Sequence, residues 1–151
     1  MNTTNKKGQF WLSTPLEQMT PTQWESLCDG CGKCCLLKIQ EKETQQVRTT
    51  KICCRLLNTR TCQCSNYQER FRYVEDCIKL NPTNVKTITW LPKSCAYRLV
   101  KEKKALPDWH PLMTKDLQST IKRGHSVKRF VVHPALVNKP LITYLLEEPI
   151  H

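Results

Sequence analysis

Ten of the 151 residues are cysteine, and most of them are crowded into short runs. The densest is CDGCGKCC, from Cys28 to Cys35. In Cys28-x2-Cys31-x2-Cys34 the two-residue spacing lets successive thiolates turn onto one metal centre, and Gly30 and Gly32 permit the tight backbone this needs. The three cysteines also match the first ligands of a bacterial ferredoxin-type loop, which would continue with three residues, Cys and Pro; here Cys35 follows at once. Gly32 after Cys31 excludes a C-x-x-C-H haem attachment, and the missing βαβ context argues against thioredoxin chemistry. Side chains of neighbouring residues diverge, so Cys34 and Cys35 read as ligands of two adjacent sites or of a polynuclear cluster. In an extended segment Cys62 and Cys64 would share one face, whereas Cys53 and Cys54 would point to opposite faces. One of that last pair is expected to be a buried thiol packing as a small hydrophobe. Cys77 and Cys95 complete the set.

An even number of cysteines also fits a disulfide framework, but that needs an oxidising compartment. Residues 1–20 have no apolar h-region and no cleavage signal, and no run approaches the length that spans a bilayer. The expectation is a cytoplasmic, membrane-free protein whose thiols stay reduced and serve as ligands for zinc, iron or an iron–sulfur cluster. Leu, Ile, Val and Phe make up only 35 of the 151 residues, so metal ligation is expected to help hold the fold. His110, between Trp109 and Pro111, lies in a loop that can approach a metal, although a loop histidine more often packs. His125 and His133 lack zinc-finger spacing. No cysteine is marked out as a nucleophile for a histidine, so no catalytic residue is assigned.

The formal charge of +11 invites a nucleic-acid partner, yet two four-thiolate zinc sites would bring it to about +7. Residues 96–133 hold nine Lys or Arg against three acidic side chains. That segment reads first as a solvated face and second as a surface for weak binding of nucleic acid or an acidic protein.

The elements that must position these residues are short. Thr20, Pro21 and Gln23 spell a capped helix start, carrying Trp24 and Leu27 straight into Cys28. Residues 47–56 (VRTTKICCRL) read as a strand and residues 58–64 as a turn. Ser65 with Gln68 suggests a helix to about Arg72, and Ser94 a helix over 95–104 with Leu99 and Val100 inward. Residues 107–112 (PDWHPL) read as a loop and 127–132 (VKRFVV) as a strand. Asn138, Lys139 and Pro140 suggest a last short helix.

The run CDGCGKCC, CRLLN from Cys54, CQCSNY from Cys62, Arg70, the pair Asp76 and Cys77, and WLPKSCAYRL from Trp90 together resemble the bacterial CxxCxxCC family of zinc- or iron-chelating proteins. This is the YkgJ-type family, in its YcgN-like branch. The resemblance extends through LPDWHPL, around Trp109 and His110, to SVKR from Ser126. It implies metal ligands at Cys28, Cys31, Cys34, Cys35, Cys54, Cys64 and Cys77, with Cys62 and Cys95 filling the longer pattern of the branch. Cys53 matches no family position, and the resemblance implies no particular activity. The expected fold is a small, compact α+β domain stapled by metal, with short helices and few strands around the cysteines. It would be one domain over 1–151, with a cysteine-rich part at 10–106 and a basic extension at 107–151 packed on it. Three functions compete: a metal-binding protein, an iron–sulfur redox or modifying enzyme, and a zinc-stapled adaptor for RNA or an acidic protein.

Overall fold

The capping signal at Thr20 does what the sequence predicts. In the computed structural model, which describes residues 8–74, 77 and 79–146, Gln23 N–H donates to the Thr20 hydroxyl and Thr20 N–H to the Gln23 side chain, at 3.1 and 3.0 Å. Residues 1–7 and Asp76 lie outside the described residues. Helix α1 spans Phe10–Ser13 and α2 spans Pro21–Ser26. From α2 the chain passes through the cysteine loop into strand β1 (Leu36–Gln40), which pairs antiparallel with β2 (Val47–Cys53). A second hairpin joins β3 (Leu57–Asn58) to β4 (Gln63–Cys64). Four more short helices follow: α3 (Arg70–Tyr73), α4 (Ala96–Lys101), α5 (Pro111–Thr114) and α6 (Ser119–Lys122). The chain is thus an α+β fold of short helices and two small antiparallel sheets.

Two apolar clusters hold these pieces. The first gathers Trp24 and Leu27 from α2, Ala96 and Tyr97 from α4, and Trp11, Val85 and Leu91 from the segments around them. The Trp24 and Tyr97 rings lie 4.6 Å apart, and the Tyr97 hydroxyl donates to the Trp24 carbonyl at 2.9 Å. The second cluster is Leu36, Cys53, Leu57, Cys62 and Val127. Leu27 and Leu36, both buried, bracket the run CDGCGKCC. The cysteine loop therefore spans from one cluster to the other, anchored by an apolar residue at each end.

Several local expectations are corrected. The Ser65–Gln68 capping box does not form, and the helix starts only at Arg70 without a side-chain cap. Ser65 N–H instead donates to the Leu56 carbonyl at 2.7 Å, which ties Ser65 to the end of the β3–β4 hairpin. Ser94 does not cap α4; its hydroxyl accepts from Lys33 Nζ at 3.1 Å, and Cys95 occupies the N-cap position. Strand β2 stops at Cys53, short of the expected Leu56. The run VKRFVV forms a 3-10 turn over Val127–Arg129, with a single bridge residue at Val132 facing Ile52. Ser126 explains this: its hydroxyl accepts from Lys128 N–H at 3.2 Å, and that local cap outcompetes the β-branched composition.

Candidate metal centre

Packing of α2 against α4 brings Cys28, just past the end of α2, towards Cys95 at the start of α4. Between them the loop is shaped by an Asx turn, in which Cys31 N–H donates to Asp29 Oδ1 at 3.0 Å. Gly30 and Gly32 adopt left-handed φ values of +73° and +78°. A Cβ on Gly32 would stand 2.8 Å from Val127 Cγ2, so only glycine fits there. Val127 also donates its N–H to the Cys31 carbonyl at 2.8 Å, so the C-terminal segment grips the loop at its middle.

A separate set of backbone bonds assembles other cysteines. Cys54 N–H donates to the Cys35 carbonyl at 2.7 Å, and Leu57 N–H to the Cys54 carbonyl at 2.9 Å. Leu57 in turn pairs with Cys64 across the β3–β4 hairpin. The β1–β2 register slips between Leu36 and Lys38, the kind of irregularity that re-aims side chains at a strand end.

The electrostatic neighbourhoods of the sulfurs divide in the same way. Cys34 bears on Cys28, Cys31 and Cys95, and Cys28 also feels Cys95. Cys35 and Cys77 each feel Cys54 and Cys64. The two quartets meet at Cys34 and Cys35, whose side chains interact directly in a 3-10 turn; the divergence expected for neighbouring residues does not hold there. Burial is the main force raising most of these thiols: Cys28 to about 12, Cys95 to about 11, and Cys31 and Cys77 also upward. Cys34 moves the other way, downward, chiefly because the Cys35 thiol donates to its sulfur. Cys35 is pushed up by the same interaction, since it keeps the shared proton. By accessible surface, Cys28 and Cys34 are exposed residues.

Two cations stand beside the quartets. Lys38 Nζ lies 4.7 Å from the centre of the Trp90 ring and donates to the Leu36 carbonyl at 3.1 Å. Burial lowers its pKa, and the nearby Cys34 and Cys35 raise it. Arg70 lowers the pKa of Cys77 against the desolvation that raises it, and its guanidinium sits over the Tyr67 ring at 3.8 Å. Nothing in the spacing marks Lys38, because a lysine on a strand ordinarily reads as solvent-facing.

Cys62 and Cys64 do not form the expected pair. Cys62 lies in the hairpin turn at a φ of +58°, and its side chain is buried in the second cluster beside Cys53. Its thiol lies 3.8 Å from the Ser126 hydroxyl. The reason is backbone geometry: a left-handed residue breaks the alternation of a strand and sends its side chain to the other face. Cys53 is likewise buried. His110, fully buried, uses both ring nitrogens: Nε2 bonds the Leu27 carbonyl at 2.8 Å, and Nδ1 accepts from Leu112 N–H at 3.0 Å. Only the neutral tautomer with the proton on Nε2 satisfies both. His110 therefore holds the residue before Cys28.

All ten cysteines are free, and an all-sulfur donor set suits zinc, iron or an iron–sulfur cluster over magnesium or calcium. Among the described residues no three candidate ligands already stand around a common point. Thiols must lose their protons to ligate a metal. No helix among the described residues is long and apolar enough to cross a membrane.

Residues 27–96 match the family model "CxxCxxCC: Putative zinc- or iron-chelating domain". A UPF0260 protein of Citrobacter koseri is 55% identical, with 87% of this chain and 91% of the relative covered. One from Shewanella frigidimarina is 52% identical over 80% of this chain and 81% of its own length. One from Proteus mirabilis is 44% identical over 93% and 95%. No solved structure matches.

Proposed function

The chain belongs to the UPF0260 family and carries its zinc- or iron-chelating CxxCxxCC segment, and on that premise we propose that it binds metal at two adjoining four-thiolate centres. Cys28, Cys31, Cys34 and Cys95 form one centre; Cys35, Cys54, Cys64 and Cys77 form the other. What supports this reading is which sulfurs lie near which: Cys34 bears on Cys28, Cys31 and Cys95, Cys54 and Cys64 bear on Cys35 and Cys77, and the Cys34 and Cys35 side chains touch. Cys53 and Cys62 are packing thiols of the second apolar cluster, so Cys62 drops out of the ligand set that the sequence suggests. Bound metal would supply a cross-link between loops and, if iron, a redox centre.

Each four-thiolate divalent site carries a net charge of about −2. Lys38 beside Cys34 and Cys35, and Arg70 beside Cys77, offset part of it, which favours thiolate over thiol in surroundings that otherwise desolvate sulfur. The reducing cytoplasm is the compartment that keeps such thiols available. The whole chain acts as one unit in this reading, with residues 107–151 closing on the cysteine loop through Val127.

The test is anaerobic purification followed by elemental analysis and an optical spectrum. About two metal ions per chain are expected for two mononuclear centres. Iron with acid-labile sulfide and a brown colour would assign clusters to the same eight ligands. Protein from metal-replete cells that holds far less than one zinc or iron per chain would overturn the proposal.

A further inference from the structure

Behind the loop-gripping residue Val127 lies an open depression of about 340 Å³, lined by Ile121, Gly124, Ser126, Lys128 and Arg129. The backbone between its lining residues is held by a ring stack. His125, between two lining residues, stacks on Trp109 with ring centres 3.6 Å apart and planes 12° from parallel. The Ser126 hydroxyl accepts from Lys128 N–H and faces Cys62, which fixes the backbone where Lys128 and Arg129 emerge. Gly124 has a φ of +76°, and a Cβ built on it meets nothing within 4 Å, so the backbone is open to a ligand at that wall.

The segment that lines the depression is basic. Residues 117–146 contain no Asp or Glu, and Glu147 and Glu148 follow them in the chain. Asp116, the acid just before them, is held by Lys122 at 2.7 Å. Lys128 and Arg129 are exposed, and neither forms an ion pair among the described residues. A lysine and an arginine side by side at the mouth of a depression attract an anion, and the guanidinium fork matches the oxygens of a phosphate. The volume is at the lower end of ligand sites and matches one nucleotide better than an extended chain. Ile121 provides an apolar wall for the part of the ligand that is not phosphate.

We propose that this depression binds a phosphate ester of mononucleotide size, with Lys128 and Arg129 on the phosphate and Ile121 against the remainder. The same chemistry is present in a free nucleotide and in one nucleotide of a single-stranded RNA, so both sources are tested. The site stands apart from the eight thiols and does not depend on which metal they hold.

The experiment is calorimetric titration of the full-length, metal-loaded chain with uridine monophosphate, and separately with a short oligouridylate, at low salt. Wild-type protein is expected to bind the monophosphate, and Lys128→Ala/Arg129→Ala to weaken it by at least about tenfold with metal content unchanged. Lys139→Ala, an exposed cation elsewhere in the same segment, should leave binding as it was. Both replaced side chains in the double variant are exposed, and Lys128→Gln/Arg129→Gln repeats the test with longer side chains. If only the oligouridylate binds, and the double variant weakens it selectively, the phosphate site stands and its source is a strand. Absence of binding by both probes, equal binding by the double variants, or equal weakening by Lys139→Ala would overturn it.

Discussion

At the scale of single residues, the ten cysteines separate into ligand candidates and packing thiols by surroundings alone. Serine at Cys28, Cys31, Cys34 or Cys95 should remove about one of two metal ions, because each belongs to one quartet. Serine at Cys53 or Cys62 should keep the stoichiometry, with a stability cost of about 1–3 kcal/mol for a hydroxyl placed in an apolar cluster. Elemental analysis of the purified variants decides this, and loss of a metal ion from Cys62→Ser would return that thiol to the ligand set. The glycines differ too. Gly32→Ala combines a left-handed backbone with a 2.8 Å clash against Val127 and should cost about 2–4 kcal/mol. Gly30→Ala has the strained φ but nothing within 4 Å, so about 1–2 kcal/mol is expected. Denaturant melts of the two metal-loaded variants test the order, and Val127→Ala should recover part of the Gly32→Ala loss.

At the scale of elements, α2 and the first turn of α5 are joined by one buried side chain. His110 bonds Leu27 at the end of α2 and Leu112 in α5, so it orients the entry to the cysteine loop without being a ligand. His110→Phe leaves a buried carbonyl and a buried N–H without partners and should lower stability by about 2–4 kcal/mol. Metal stoichiometry should remain that of the wild type once the protein is folded. A variant that folds yet loses one metal ion would show that the histidine ligates. The corrected elements follow the same logic. Ser65 and Ser94 carry cap-like sequence signals, whereas Ser126 precedes a run that reads as a strand. Tertiary partners claim the first two, while Ser126 finds its local donor and converts an apparent strand into a 3-10 turn.

At the scale of the whole molecule, raised thiol pKa values set opposite pH trends for the metal-free and metal-loaded protein. Desolvation pushes Cys28 up to about 12 and Cys95 up to about 11 in the fold, above the unfolded value near 8.5. The metal-free fold thus binds more protons than the unfolded chain between those values. Its stability from these groups is full below about pH 8.5 and falls as pH rises towards the folded pKa. Metal binding releases those protons, so affinity should rise with pH over the neutral range, and Cys34, held below its ordinary value by the Cys35 thiol, should be the first of its neighbours to offer a thiolate. Competition against a chelator at a series of pH values measures the trend, and an affinity independent of pH would contradict it. Stripping the metal under reducing, anaerobic conditions should cost hydrogen-exchange protection across the described residues of 28–95. The segment from 109 to 146 should change less, except around Val127, whose N–H is bonded to the loop. Unchanged protection over 28–95 would mean that the metal is carried without holding the fold.

The sequence by itself determined that thiols are the chemistry of this chain, that Gly30 and Gly32 turn the loop, and that Thr20 starts the helix leading into it. Those properties are local: spacing, φ preference and capping act within a few residues. It also carried the family motifs, and with them the α+β class and the metal-chelating character. Only the tertiary structure decided which cysteines are neighbours. Cys28 meets Cys95 because two helices pack, and Cys35 meets Cys54 and Cys64 because two hairpins share backbone bonds. Cys62 left its expected partner through one positive φ, and His110 turned from a possible ligand into a strut. Contacts between residues far apart in the chain depend on how separate elements pack, and spacing along the sequence does not encode that.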